Sequence, residues 1–210
     1  MSMWAPSPVA ETVDLFRCDG RRLWSLFRRH HYLSGSYNGH GAICGVLDGN
    51  LVGFTSYITY PSGTIPQPAR RGHRTVILPD YQGMGIGVRL SDALGMLMLR
   101  EGYRYFSKTS HPRMGGYRNN SPLWKPTSKN EMAREDSTGT SRWELKRTLC
   151  FSHEFIGDDP NLYATVLANI HTPDTSQLSL FDDGLVDTEQ RTETAPHLEL
   201  DDSSVVHDAP

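Results

Sequence analysis

The sequence predicts an α/β fold of the α+β kind, a mixed and mostly antiparallel sheet packed with helices. Three observations carry this. A hairpin stands near the N-terminal third, with strands at 42–47 and 51–60 joined by Asp48-Gly49-Asn50, and Asp-Gly is a strong hairpin turn. A strand rich in branched residues, Arg74–Leu78, then runs through a glycine-rich turn into an amphipathic helix at 88–100. Further strands follow at 103–109 and 142–151. The order of helix, hairpin, strand, helix and strands stacks a helix on a sheet.

Taken along the chain, the first predicted element is a short helix, 21–29. Leu23, Trp24, Leu26 and Phe27 recur at helical spacing among Arg21, Arg22, Arg28 and Arg29. It leads into His30-His31-Tyr32-Leu33-Ser34 and a flexible loop, 35–39. After the hairpin, Pro and Gly mark residues 61–69 as a loop. Leu90, Leu94, Leu97 and Met98 line one side of helix 88–100, and Gly102 ends it. Residues 111–141 read as irregular. In the strand 142–151, Trp143, Leu145 and Arg147 face one way and Glu144, Lys146 and Thr148 the other. A short helix closes the folded part at 160–170.

The chain has 210 residues, 37% of them hydrophobic and 10% aromatic, enough for one domain, 1–170, with an appendage. From His171 onward it is polar and acidic, a composition too poor in apolar residues to fold alone, so 171–210 is expected to be a disordered acidic tail. The net charge of −3 conceals this division. The tail holds ten Asp and Glu and the single base Arg191, so residues 1–170 carry about +6. A basic body points to an anionic partner, nucleic acid included. No apolar run is long enough to span a bilayer, and no secretory signal is seen. Cys18, Cys44 and Cys150 are odd in number and widely spaced, which fits neither a disulfide framework nor a zinc site. A reducing cytoplasm, of a bacterium or a phage-infected host, is the expected location.

The strongest signal is Leu78-Pro79-Asp80-Tyr81-Gln82-Gly83-Met84-Gly85-Ile86-Gly87-Val88. The first turn of a helix has unpaired N–H groups and a partial positive charge. Glycines let an anion come close to that backbone. The spacing does not fit a Rossmann turn, and the Gly-Lys-Ser/Thr of a Walker loop is absent. Gln82, Gly85 and Gly87 instead form Gln-x-x-Gly-x-Gly. On this motif the chain resembles the GNAT acetyltransferase superfamily over residues of about 20–155. The resemblance implies acetyl-CoA, or a related acyl-CoA, as donor. It also implies that the backbone of Leu78 meets the pantetheine arm. The amides of Gln82, Gly83, Met84, Gly85, Ile86 and Gly87 would hold the pyrophosphate.

A narrower resemblance covers Phe27-Arg28-Arg29-His30-His31-Tyr32-Leu33-Ser34. With the glycine motif behind it, this segment resembles the Mom family, phage GNAT relatives that hypermodify adenine in DNA. Thr109-Ser110-His111-Pro112 and Ser121-Pro122-Leu123-Trp124 match that group more loosely. In the family the His-Tyr pair is implicated in the active site and in iron binding. The resemblance therefore implies His31 and Tyr32 as catalytic residues and as candidate iron ligands. The chain departs from the group in having no acidic partner in a fixed motif around 111–130.

Acyl transfer needs a base for the amine and an acid for the leaving thiolate. An imidazole titrates near neutrality, so His31 is a candidate base. Tyr32 or Tyr117 is a candidate acid. Ser110 and His111 stand at the end of the strand expected to splay from its neighbour where the thioester enters. A flipped adenine in DNA needs a cationic channel. Arg28, Arg29, Arg70, Arg71, Arg74, Arg113, Arg118, Lys125 and Lys129 flank the site in sequence. Tyr37, Tyr117 and Trp124 are candidates to stack on bases.

In the tail, Gln177-Leu178-Ser179-Leu180-Phe181 resembles the peptide by which polymerases and repair proteins dock on the bacterial sliding clamp. Leu180 and Phe181 would fill an apolar pocket, and Gln177 would set the register. The favoured reading is a Mom-like enzyme acting on the adenine N6 amine of DNA. A conventional N-acetyltransferase of a small amine or a protein is the main alternative. A non-catalytic DNA- or clamp-binding accessory protein is the third.

Overall fold

The computed structural model describes residues 8–31, 36–60, 65–135, 147–157 and 170–171. The chain divides into two units, 1–172 and 173–210, and every described residue belongs to the first. Its elements are α1 (Pro8–Glu11), β1 (Asp14–Cys18), α2 (Gly20–Phe27), β2 (Gly41–Leu47), β3 (Asn50–Thr59), β4 (Ala69–Ile77), α3 (Ile86–Arg100), β5 (Arg104–Thr109), α4 (Pro112–Asn120), β6 (Trp124–Pro126), β7 (Met132–Glu135), β8 (Arg147–Phe155) and β9 (Ile170–His171). The sheet runs β6-β8-β5-β4-β3-β2-β1-β9, with β7 added to β8. Among the described strands only β4/β5 and β1/β9 pair in parallel. The mixed, mostly antiparallel sheet packed with helices is the class the sequence predicts.

Helices cover both faces. In β2, Ile43 joins the α3 side, while Ala42 and Cys44 join the α2 side. This is the two-residue period of a strand buried on both faces. On the α2 side Leu23, Trp24 and Phe27 pack on Phe54 and Val76. Asp19 starts α2 by accepting the Arg21 N–H on its carboxylate at 2.8 Å. A single 3-10 turn, Arg28–His30, then ends the helix. On the other side α3 is buried almost all round, with Leu90, Ala93, Leu94, Met96 and Met98 fully enclosed.

Several boundaries differ from the sequence reading. The strand expected at 74–78 begins at Ala69 and ends at Ile77, so the Pro/Gly-rich loop is shorter than expected. Helix α3 starts at Ile86, two residues before the predicted start. β1 and α1 were not anticipated. The stretch 111–141 is not irregular throughout, because it contains α4, β6 and β7. His111 caps α4 by accepting the Met114 N–H, and Pro112 occupies the first turn, where a missing N–H costs nothing. Gly115 and Gly116 read as helix breakers, yet Gly115 lets α4 lie directly on Phe151 of β8. The strand expected at 142–151 lies at 147–155, with 141–146 outside the described residues. Of the helix expected at 160–170, residues 160–169 lie outside the described residues, and Ile170 is in a strand beside Leu15. The acidic tail beyond His171, including 177–181, also lies outside them.

A Cβ on Gly115 would fall 2.1 Å from the Phe151 ring. Gly115→Ala should therefore destabilise the protein by about 1–3 kcal/mol despite alanine's higher helix propensity. Urea unfolding of the two proteins measures it; an unchanged or raised stability would show that α4 does not pack this closely.

Candidate active site

The parallel pair β4/β5 is joined at Ala69/Arg104, Arg70/Tyr105 and Arg71/Phe106, and beyond these positions the strands diverge. β4 is drawn towards β3 across a bulge between Thr55 and Tyr57. Ser56 stabilises the bulge, its hydroxyl accepting the Arg74 N–H at 3.2 Å. β5 is held from its other side by β8, from Tyr105/Phe155 to Thr109/Phe151. Gly72 sits at the apex, where a Cβ would lie 2.9 Å from the Tyr105 hydroxyl and 3.0 Å from the Ser107 hydroxyl. The resulting cleft has a volume of about 530 Å³, a size typical of small-molecule sites.

The glycine turn forms one end of the cleft. Gly83 and Gly85 have φ of 84° and 80°, a backbone region that side chains disfavour. A Cβ on Gly83 would touch nothing within 4 Å, so its backbone conformation, not packing, calls for glycine. Gly85 is the left-handed residue from which α3 starts. The N–H groups of the first turn, Ile86 to Val88, have no intrahelical acceptor and border the cleft. These features fit a pyrophosphate. The Gln82 side chain is engaged differently, donating from Nε2 to the Ile77 carbonyl at 2.9 Å and so tying the turn to the end of β4. The Leu78 backbone is occupied, with its N–H on Val52 at 2.9 Å and its carbonyl accepting Tyr81 N–H at 3.0 Å. Gly72, His73, Thr75, Val76 and Ile77 of β4 line the cleft.

His30 and His31 line the same cleft, so the predicted histidine segment and the glycine turn share one cavity. His31 meets the Trp24 ring edge-on at 5.6 Å. His30 accepts a hydrogen bond from Arg29 Nε at 3.0 Å. His111, Tyr117, Gln82, Gly83, Gly85, Ile86 and Gly87 also line the cavity, whereas Ser110, Leu78 and Met84 do not. Met84 packs against the main core instead. Tyr32 lies outside the described residues. Among the described residues no group of three His, Cys, Asp or Glu stands close enough to hold a metal.

The sequence reading missed His30, His73 and Ser107 as wall residues. Burial and the nearby Arg74, Arg71 and His31 push His73 down to about 4, so it stays neutral at pH 7.

The reading also missed a buried polar cluster behind the wall. Asp92, in the middle of apolar α3, is 5% exposed. Its Oδ2 accepts from the Tyr117 hydroxyl and its Oδ1 from Trp124 Nε1 at 2.7 Å. Burial outweighs these two bonds and the Arg118 charge and raises Asp92 to about 6. Burial and Asp92 together push the Tyr117 phenol up. Its hydrogen is committed to Asp92, so Tyr117 serves as an acid in the cavity only by breaking that bond. His111 likewise has a structural task, since its Nδ1 caps α4.

A carboxyl with a raised folded pKa contributes stability that is present below its unfolded value near 3.8 and lost as pH rises through about 6. Asp92→Asn should remove this loss. Its stability relative to the wild type should rise by about 1–3 kcal/mol between pH 4 and pH 7. Urea titrations across that range test this; a pH-independent difference would mean that Asp92 is already ionised at pH 4.

The model of the acetyltransferase (GNAT) family matches residues 9–115, about half of the chain. No curated protein matches it. Among solved structures, the fold is similar to that of a CoA-dependent acyl-homoserine lactone synthase, BjaI, at 9% identity over 81% of this chain and 99% of that one, with a TM-score of 0.51. The NatB acetyltransferase complex matches at 11% identity over 67% and 89% with a TM-score of 0.49. Naa50 of Arabidopsis thaliana matches at 12% identity over 69% and 99% with a TM-score of 0.48. With the family model lying on the sheet, the splayed strands and the glycine turn described above, the chain belongs to the GNAT family and is an acetyl-CoA-dependent acyltransferase.

Proposed function

We propose that the acceptor of this acyltransferase is the exocyclic N6 amine of adenine in DNA, the base being presented unpaired. The observation that carries this is the make-up of the cleft wall. From the glycine turn to His30 and His31 it holds Lys108, Arg113, Arg118 and four histidines, and no Asp or Glu among its described lining residues. Such a wall disfavours a cationic polyamine and suits a polyanion. β4 extends the same chemistry outwards. Arg70 lies 4.1 Å from the Tyr103 ring, Arg71 lies 5.6 Å from Tyr60 and Arg74 lies 5.4 Å from Trp24. Arginines interleaved with aromatic rings suit phosphates and unstacked bases. The resemblance of Phe27–Ser34 to the Mom family supports the same reading.

In the reaction the amine nitrogen attacks the thioester carbonyl, the C–S bond breaks, and the amine loses a proton. His31 takes that proton in this reading. Neutral His73 adds no repulsive charge beside it and offers an acceptor nitrogen to orient the amine. The amine's lone pair is delocalised into the ring, so orientation in the cleft has to supply much of the rate. The leaving thiolate is stabilised by the cationic wall. Iron is not needed for any of these steps and has no place in the proposal.

Nucleosides from DNA of cells expressing the protein should include a heavier deoxyadenosine by mass spectrometry. Gly85→Asp, which puts a strained carboxylate at the phosphate turn, should lose both this species and at least about tenfold in acetyl-CoA affinity. Unmodified DNA beside a wild type that still binds acetyl-CoA would favour a conventional acetyltransferase of a small amine or a protein.

Recruitment by the sliding clamp through Gln177-Leu178-Ser179-Leu180-Phe181 is part of the same proposal. Purified clamp should be retained by the wild type and lost with Leu180→Ala/Phe181→Ala. Equal retention by both proteins sinks it.

A further inference from the structure

Arg118 is 3% exposed, yet it lines the cleft. Its guanidinium lies over the Trp124 ring at 4.4 Å, which fixes its plane. One nitrogen, Nη2, donates to Ser91 Oγ at 2.7 Å. Nε and Nη1 are buried and have no hydrogen-bond partner among the described residues. The carboxylate nearby does not supply one: Asp92 accepts from Tyr117 and Trp124, and neither Nε nor Nη1 of Arg118 reaches it within hydrogen-bond distance. His153, wholly buried in β8, cannot balance the charge either. Burial and the Arg118 charge hold it down to about 4, and its Nε2 is bound to Asn119 at 2.8 Å.

A guanidinium has five N–H donors and no deprotonated form within reach. Leaving two of its nitrogens unpaired in a buried place is costly, and the cost is offset when an oxygen-bearing ligand supplies the acceptors. Arg118 is one of the residues that line the cavity, so a ligand held there lies against it. We propose that Arg118 anchors an anion subsite in the cleft, which takes a carboxylate or phosphate oxygen on the N–H groups that Ser91 leaves free. The anion is carried by the acyl chain of the donor or by the acceptor. The proposal rests on the acyl-transfer chemistry of the family and not on DNA as acceptor.

Calorimetric titration of the full chain distinguishes the two sources. In the donor arm, succinyl-CoA and acetyl-CoA are compared. In the acceptor arm, inorganic phosphate is titrated into protein saturated with CoA. The expected result is a preference of about tenfold or more for succinyl-CoA, or phosphate binding to the CoA complex. In Arg118→Met that effect should disappear, so that succinyl-CoA and acetyl-CoA bind alike and phosphate adds nothing to the CoA complex. A wild type that shows neither effect overturns the proposal, and this comparison does not depend on the variant folding. An anion effect that persists in a folded Arg118→Met overturns it as well. Acetyl-CoA binding within the same titrations reports separately on the donor site, so failure of the subsite and failure of the acyltransferase reading are told apart.

Discussion

The divergence of β4 from β5 is the constraint on which the rest of the molecule depends. Two parallel strands that stayed paired would close the sheet and leave no cleft. Here each strand is held on its far side. β3 pulls β4 through a bulge that Ser56 satisfies by bonding to the Arg74 backbone, and β8 keeps β5 in antiparallel register. Gly72 allows the strands to meet closely at the apex, so the separation opens within a few residues. The edge groups of β4 that lose β5 as a partner then become the wall of the site. A sheet edge is normally a liability to be covered, and here it is left open to the cleft.

The same divergence explains why polar groups are buried behind the cleft. Helix α4 closes one side of the opening, and it must be fixed there without filling it. Apolar packing alone would pull α4 inwards. Instead Tyr117, Arg118 and Trp124 reach Asp92 and Ser91 on α3 by directed bonds, which set distance as well as contact. Burying a carboxylate and a guanidinium costs more than burying leucines of similar volume. The arrangement is therefore better understood as specifying the position of α4 than as adding stability. The raised Asp92 and the unpaired Arg118 nitrogens both follow from that demand.

How legible each part was depended on whether backbone or side chains carried the chemistry. The glycine turn could be read directly, since the glycines at 83 and 85 are dictated by φ and a long apolar helix follows them. The hairpin was equally plain, because its turn residues and alternation act locally. α4 was not legible. Its two glycines mimic a loop, and it is held by a cap at His111 and by a Phe151 ring 36 residues beyond Gly115, neither of which shows as a periodic pattern. β1 is too short to show a period. His73 and Ser107 were hidden for a related reason. They become wall residues only where two strands part, a tertiary event that no window of sequence contains. Asp92 left a faint signal, a carboxylate inside Leu90–Leu94 on the buried side of the helix, but its partners lie 25 and 32 residues away.

This division also accounts for what the chain shares with other proteins and what it keeps for itself. At 9% identity to a structure that spans most of its length, few side chains are in common, yet the fold is similar. Sheet pairing, a bulge, a parted pair of strands and a helix N-terminus are all backbone features, and many sequences satisfy them. The donor end of the site is built from these features and so belongs to the family. The remaining walls come from side chains on the 3-10 turn after α2, on β4, on β5 and on α4, where identity is free to change. In the proposed reading the acceptor is selected there, which makes the cations and histidines of those segments, rather than the fold, the place to look for the substrate.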